Sequence, residues 1–141
     1  MPERVALRLI SVGVGLFFLA MSLNKVAWLA DPALLSDRFQ RWLPNAEPYA
    51  QVYLRTVAIP AAPLFARVVP LAEFLTALAM VTGVGTRMAA ALALVMVLNF
   101  QVATSSFSSV EILRDGTGPL LWIVLLALAT VRGRLPFSVG R

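Results

Sequence analysis

Neither cysteine nor histidine occurs in this 141-residue chain. Without cysteine there is no disulfide, no thiol exchange, and no thiolate ligand for zinc or an iron–sulfur cluster. Without histidine the common imidazole ligand of haem and the usual neutral-pH general base are missing. Two large classes of membrane redox chemistry are thereby excluded as the work of this chain alone, and no metal site or covalently bound cofactor is expected. Charge is scarce as well. Only 13% of residues are charged, against roughly 25% in a soluble domain. The net charge of +5 does not point to nucleic acid, because the basic residues sit singly at the ends of apolar runs, where arginines snorkel or set topology.

What remains is apolar: 60% of the residues are hydrophobic, gathered in long blocks and not spread at core periodicity, the pattern of a membrane protein. With no linker or low-complexity segment, residues 1–141 read as a single domain. The first block follows Arg4 and Arg8, and Gly13 and Gly15 within it suit close helix packing. Its basic start and apolar core resemble a signal peptide, but Ala20-Met21-Ser22 is a poor cleavage context. The helical pattern also continues through Asn24-Lys25-Val26-Ala27-Trp28, so an uncleaved first span over about 5–29 is expected. Further spans are expected at about 63–84, 86–105 and 116–131, the last one short for a bilayer but flanked by Arg132 and Arg134.

Between the first two spans, residues 31–62 form the only extended polar stretch. Asp31-Pro32 suits a helix start. Leu34, Leu35, Phe39, Trp42 and Leu43 then recur at helical spacing among Asp37, Arg38 and Arg41. This predicts a short amphipathic helix lying in the membrane interface; a surface helix packed on the bundle end fits the same pattern. A second brief helix is expected near Tyr49 to Val57, and a polar loop from Thr104 to Gly118. Met80, Met88 and Met96 read as core fillers, and Trp28, Trp42 and Trp122 as interface anchors or packing residues. Short connections between spans 2–3 and 3–4 imply an antiparallel up-down arrangement. Arg4, Arg8, Arg87, Arg132, Arg134 and Arg141 gather on one side, with Glu3 as the sole acid. The other side has as many basic residues, Lys25, Arg38, Arg41, Arg55, Arg67 and Arg114, mixed with acids in a long loop. Counting short loops puts both termini in the cytoplasm.

Glu73 is the one acid inside a long apolar run, and an ionisable group within a membrane helix marks a candidate functional position. It lies fourteen residues before Arg87 and Gln101 fourteen after, so both reach about 21 Å above the Gly83–Arg87 turn at ~1.5 Å per residue. Asn99 reaches about 18 Å, and Lys25 lies about 26 Å beyond Arg8. Asn24, Lys25, Glu73, Asn99 and Gln101 therefore converge on one depth, and a polar pocket is expected there. Three uses are open. The pair can merely neutralise itself while the amides tie helices together, at about 0.6 kcal/mol per bond. The pocket can bind a polar-headed lipid such as a quinone, or serve proton- or ion-coupled transport. Gly83 and Gly85 read as turn formers, since no Lys-Ser/Thr follows as a phosphate loop needs.

These residues resemble the DoxX family of small four-helix bacterial membrane proteins. The first span, Arg8…Gly13…Phe17-Phe18…Ser22-Leu23-Asn24-Lys25, is similar to the family's arginine start and Gly-x-x-Lys-like ending. Glu73 followed by Gly83-Val84-Gly85-Thr86-Arg87 is similar to its glutamate and Gly-x-x-Thr-Arg elements. The tail Arg132 to Ser138 resembles its terminal glycine-rich pattern in degraded form, and Met21-Ser22 stands where a His-Gly pair is common. The resemblance implies Lys25, Glu73 and Arg87 as motif residues. It also implies a link to membrane redox systems, among them the small subunit of thiosulfate:quinone oxidoreductase, while distant relatives act in assembly or trafficking of membrane proteins.

The expected fold is therefore an all-α membrane protein, a four-helix transmembrane bundle with a short interfacial helix between helices 1 and 2. The expected role is a non-catalytic accessory subunit of a membrane redox or energy-converting complex in the bacterial inner membrane, with a quinone or lipid near Glu73. Its expected partners are the lipid bilayer and other membrane subunits. A quinone-linked oxidoreductase subunit, an assembly factor and a small transporter are the alternatives.

Overall fold

A computed structural model describes residues 2–108, 110–113, 116–131, 133 and 135–139. Ser109, Arg114, Asp115, Arg132, Arg134 and Arg141, which entered the loop and charge readings above, lie outside the described residues. Among the described residues every regular element is helical. Three helices are long and apolar enough to cross a membrane: α1 (Pro2–Leu23), α5 (Ala62–Thr82) and α6 (Thr86–Thr104). Between α1 and α5 lie α2 (Val26–Ala30), α3 (Ala33–Trp42) and α4 (Pro48–Tyr53), and α7 (Pro119–Thr130) follows α6.

The packing order is simple. Helix α1 lies mainly along α5, α6 lies along α7, and α5 touches α6. No more than about two-fifths of any long apolar window is buried in the protein (33%, 33% and 39%). The outer faces carry Leu9 and Leu16 of α1, Leu71, Leu75 and Leu78 of α5, and Met88, Leu92 and Val95 of α6, all exposed. Apolar surface on this scale demands a non-aqueous environment, so these helices meet lipid. Met88, expected in the core, points outward instead; a residue that helps line a lipid-facing surface needs no interior site.

Small residues set how closely the helices approach. A Cβ on Gly15 would stand 2.8 Å from Val81 Cγ2 and 3.1 Å from the Ala77 carbonyl oxygen, so α1 and α5 meet there at a distance only glycine permits. Gly13 has nothing within 4 Å of a built Cβ and plays no such part. On α6, Ala90 and Ala93 are fully buried and Ala89 nearly so, bringing α6 close to its neighbours.

The first apolar run is broken. Helix α1 stops at Leu23, and α2 starts three residues on. The Lys25 amide donates to the Ser22 carbonyl (2.9 Å) and the Trp28 amide to the Lys25 carbonyl (2.9 Å), both i→i−3 bonds that tighten the turn. Ser22 Oγ donates to the carbonyl of Pro70 (2.9 Å), anchoring the break on α5. The break turns Lys25 inward, where it is buried.

The polar stretch folds over this end. Asp31 Oδ1 accepts the Ala33 amide (3.0 Å) and starts α3. Leu35 and Phe39 of α3 join Trp28, Leu54, Ala58, Ala62, Ala66 and Ala103 in a second core separate from that of the long helices. Helix α4 runs into one π-turn, Leu54–Ala58, closed by the Ile59 amide on the Leu54 carbonyl (2.9 Å). The extra residue in that turn leaves both Leu54 and Ala58 fully buried.

At the other end, the four carbonyls that close α5 are all satisfied, one by the C-cap amide and three from outside the ladder. Ala79 accepts the Gly83 amide (2.9 Å) and Thr82 that of Val139 (2.8 Å). Met80 accepts Arg8 Nη1 (2.7 Å) and Ser11 Oγ (2.9 Å), and Val81 accepts Arg8 Nη2. Arg8, expected to snorkel or set topology, is buried instead, because a guanidinium can serve two carbonyls where no water is available. Gly83 and Gly85 take positive φ (80° and 65°), the left-handed conformation that glycine adopts freely, and form the α5–α6 turn.

Candidate functional site

Lys25 and Glu73 meet at the inner end of the α1 break. Lys25 Nζ lies 2.5 Å from Glu73 Oε1, with the two side chains 7% and 5% exposed. Lys25 is the chain's single lysine and also stands 5.8 Å from the Trp28 ring and 6.0 Å from that of Phe100. Those distances give the ammonium two aromatic faces besides its carboxylate. The second carboxylate oxygen, Oε2, is buried and has no hydrogen-bond partner among the described residues.

Glu73 opens onto a cavity of about 40 Å³ lined by Phe17, Phe18, Met96, Asn99, Phe100 and Thr117, among others. At roughly 10–15 Å³ per water, it has room for a few waters. It is far below the roughly 300 Å³ at which ligand pockets begin.

The other residues read from the sequence divide. Asn99 lines the cavity, is exposed, and accepts a hydrogen bond from Tyr53 OH (2.7 Å) on its Oδ1. Gln101 is fully buried and turned away; its Nε2 donates to Thr117 O (3.1 Å) and Thr117 Oγ1 (2.8 Å). It therefore holds the loop before α7, and Thr117 in turn lines the cavity. Trp122 Nε1 donates to the same Thr117 carbonyl (2.8 Å). Asn24 sits in the break with its side chain exposed, outside the cavity lining. Arg87 belongs to the opposite end, where Nε donates to the Ala129 carbonyl (3.0 Å) and braces α6 against the last turn of α7.

Sequence reasoning missed Thr117, Phe17, Phe18 and Phe100 around the cavity and Tyr53 as the partner of Asn99. The phenylalanines had no signal separating them from ordinary apolar residues. Tyr53 had one: a tyrosine after a helix-starting proline, with its hydroxyl in need of a partner near the wet end of the bundle.

Residues 6–106 match the family model described as DoxX. The matched segment includes Arg8, Lys25, Glu73 and Arg87 and ends before α7, so the likeness drawn for the 132–138 tail falls beyond it. No curated protein and no solved structure gives a significant match.

Proposed function

This chain belongs to the DoxX family, and from that premise we propose a non-catalytic accessory subunit of a membrane redox or energy-converting complex. The Lys25–Glu73 pair is where the polar head of a quinone or other lipid docks. The observation that carries this reading is Glu73 Oε2, a carboxylate oxygen buried without a donor at the inner end of a cavity walled by Phe17, Phe18 and Phe100. Leaving such a group unsatisfied costs about 1–3 kcal/mol or more, and a bound hydroxyl offsets that. The cavity's size limits the pose. Room for only a few water-sized atoms lets a single oxygen function, and no ring, enter beside Glu73, and the ring stays at the mouth beside Asn99 and Phe100. A chain with no cysteine and no histidine lacks the common side chains for holding a redox centre, so the partner supplies it.

The remaining topology belongs to the same proposal. Helix α7 is the fourth span. Its 12 residues cover about 18 Å, short of a ~30 Å hydrocarbon core, but Leu120, Ile123 and Leu126 present an exposed apolar face that only lipid or a partner can cover. Helix α3 lies in the interface, with Leu35 and Phe39 inward and Asp37 and Arg41 exposed. Both termini are cytoplasmic in a bacterial inner membrane. A reporter fused after Arg141 that works only outside the cytoplasm would reverse that orientation.

The test is gentle purification from the native membrane, with proteins and lipids identified by mass spectrometry, for the natural chain and for Glu73→Gln. A stoichiometric redox complex that retains quinone, and loses it in Glu73→Gln, is the expected result. A lone chain carrying only bulk lipid would end the accessory reading. Thiosulfate-dependent quinone reduction by the lone chain would move the assignment to the oxidoreductase alternative.

A further inference from the structure

The end of the bundle opposite Glu73 carries features that neither the turn nor the brace explains. Helix α6 opens with Thr86, Arg87 and Met88, whose amides have no acceptor within the helix, and its N-cap is Gly85, which offers no side chain. Thr86 is 7% exposed, and its hydroxyl is buried without a hydrogen-bond partner among the described residues. Both border a pocket of about 180 Å³, closed on its far side by Leu128, Val131, Gly133 and Leu135. Arg87 lines the same pocket and, among the described residues, donates only through Nε, to Ala129, with its terminal nitrogens as further donors. Among the described residues, no acidic one lines it. Donor amides, a positive helix end, a hydroxyl and a guanidinium together favour an oxyanion.

A second opening meets the first at Gly85. An apolar groove of about 490 Å³ runs on the outer side between α5 and α6, past Ala79, Met88, Leu92 and Met96. Gly85 borders both spaces and puts no side chain of its own between them; a Cβ built on it meets nothing within 4 Å beyond its chain neighbours. From Gly85 to Met96 the groove extends about 16 Å along the helix. A free anion has no use for that apolar extension. A molecule with a phosphate at one end and a hydrocarbon chain at the other fills both.

We propose that this end of the bundle binds an anionic phospholipid, its phosphate at the α6 N-terminus beside Thr86 and Arg87 and an acyl chain in the α5–α6 groove. Basic pockets among membrane helices suit such head groups. The site is independent of the Glu73 reading, lying beyond the end of α5 at Thr82, about 14 Å along that helix from Glu73.

The test is native mass spectrometry of the full chain in detergent, offered phosphatidylglycerol, phosphatidylcholine or inorganic phosphate. Phosphatidylglycerol is expected to be retained over phosphatidylcholine, with inorganic phosphate a poor competitor. Retention should fall about tenfold in Arg87→Gln and a few-fold in Thr86→Val, the ordinary effects of losing a charged and a neutral hydrogen bond. Arg87 also holds Ala129, so Thr86→Val decides the matter: that hydroxyl has no partner among the described residues, and its loss breaks no bond among them. Leu92→Trp, filling the groove, should lower phospholipid retention as well. Equal retention of the two lipids, or a preference untouched by Thr86→Val, would overturn the proposal. Inorganic phosphate competing on equal terms would reduce the site to one for free anions and overturn the lipid assignment.

Discussion

The guanidinium of Arg8, on the first helix, donates to the backbone carbonyl of Met80 at the far end of α5 (2.7 Å). An arginine that charge-counting places in a cytoplasmic flank is thus an internal cap. It acts on a helix end that has no side-chain cap of its own, and it draws the N-terminal turns of α1 onto the α5–α6 turn.

Arg8→Leu is expected to destabilise the protein by about 2–4 kcal/mol, because two carbonyls lose charged donors in a region without water to replace them. Arg8→Lys should recover part of this, since a single ammonium cannot span both oxygens as a planar fork does. Unfolding curves in mixed micelles measure it; equal midpoints for Arg8→Leu and the natural chain would refute the capping role.

Breaking the Lys25–Glu73 pair from one side should be worse than removing it. Lys25→Met or Glu73→Leu alone leaves one buried charge and should cost about 3–5 kcal/mol. The double substitution should recover most of that loss, as apolar replacements of buried ion pairs often do. A double-mutant cycle reads the coupling directly. Simple additivity of the two losses would mean the side chains do not depend on each other.

Gly13 and Gly15 are two residues apart and should respond oppositely. Gly15→Val places atoms against Val81 and Met80 and should cost about 1–3 kcal/mol through forced separation of α1 and α5. Gly13→Ala has open space and should stabilise by about 0.5–1 kcal/mol, through the lower entropy of the unfolded chain. Thermal midpoints of the two variants, compared in one detergent, decide whether the close approach is at Gly15 alone.

Gln101→Leu should release the loop before α7. It removes both donations to Thr117, leaving Trp122 as the described bond to that carbonyl. Amide exchange at Thr117 and Gly118 should rise by about tenfold, the size expected for one to two lost hydrogen bonds. Unchanged exchange there would show that Trp122 suffices.

Much of this architecture was written in the spacing of apolar residues. The apolar runs announced α5 and α6 to within about two residues, because a helix in lipid needs an unbroken apolar length and little else, whereas the first span, expected to reach about 29, stops at Leu23. The lone acid at Glu73 and the cation at Lys25 could be matched by counting rise from charged ends. The same arithmetic counted Glu73 and Gln101 alike from Arg87, but α5 ends at Thr82 and α6 starts at Thr86, so Glu73 lies about 14 Å from the turn and Gln101 about 22 Å. Gln101 bonds Thr117, not the pair. The break after Leu23 was invisible, since Asn24 and Lys25 are acceptable helix residues and the turn is fixed by Ser22 reaching Pro70 on another helix. Arg8 was misread for a related reason: position along a helix shows where a charge lies, not which backbone atoms it meets.

Time enters through the end of α5. Its Met80 and Val81 carbonyls are claimed by Arg8, already synthesised when α5 emerges, but its Thr82 carbonyl waits for Val139. At about 5–20 residues per second, that amide leaves the ribosome several seconds after Thr82 does. During this interval the α5–α6 hairpin sits in the membrane with one backbone oxygen still open. A chain stopped between α7 and Val139 never closes it, so the molecule carries a backbone mark that distinguishes a nascent chain from one extended past that residue.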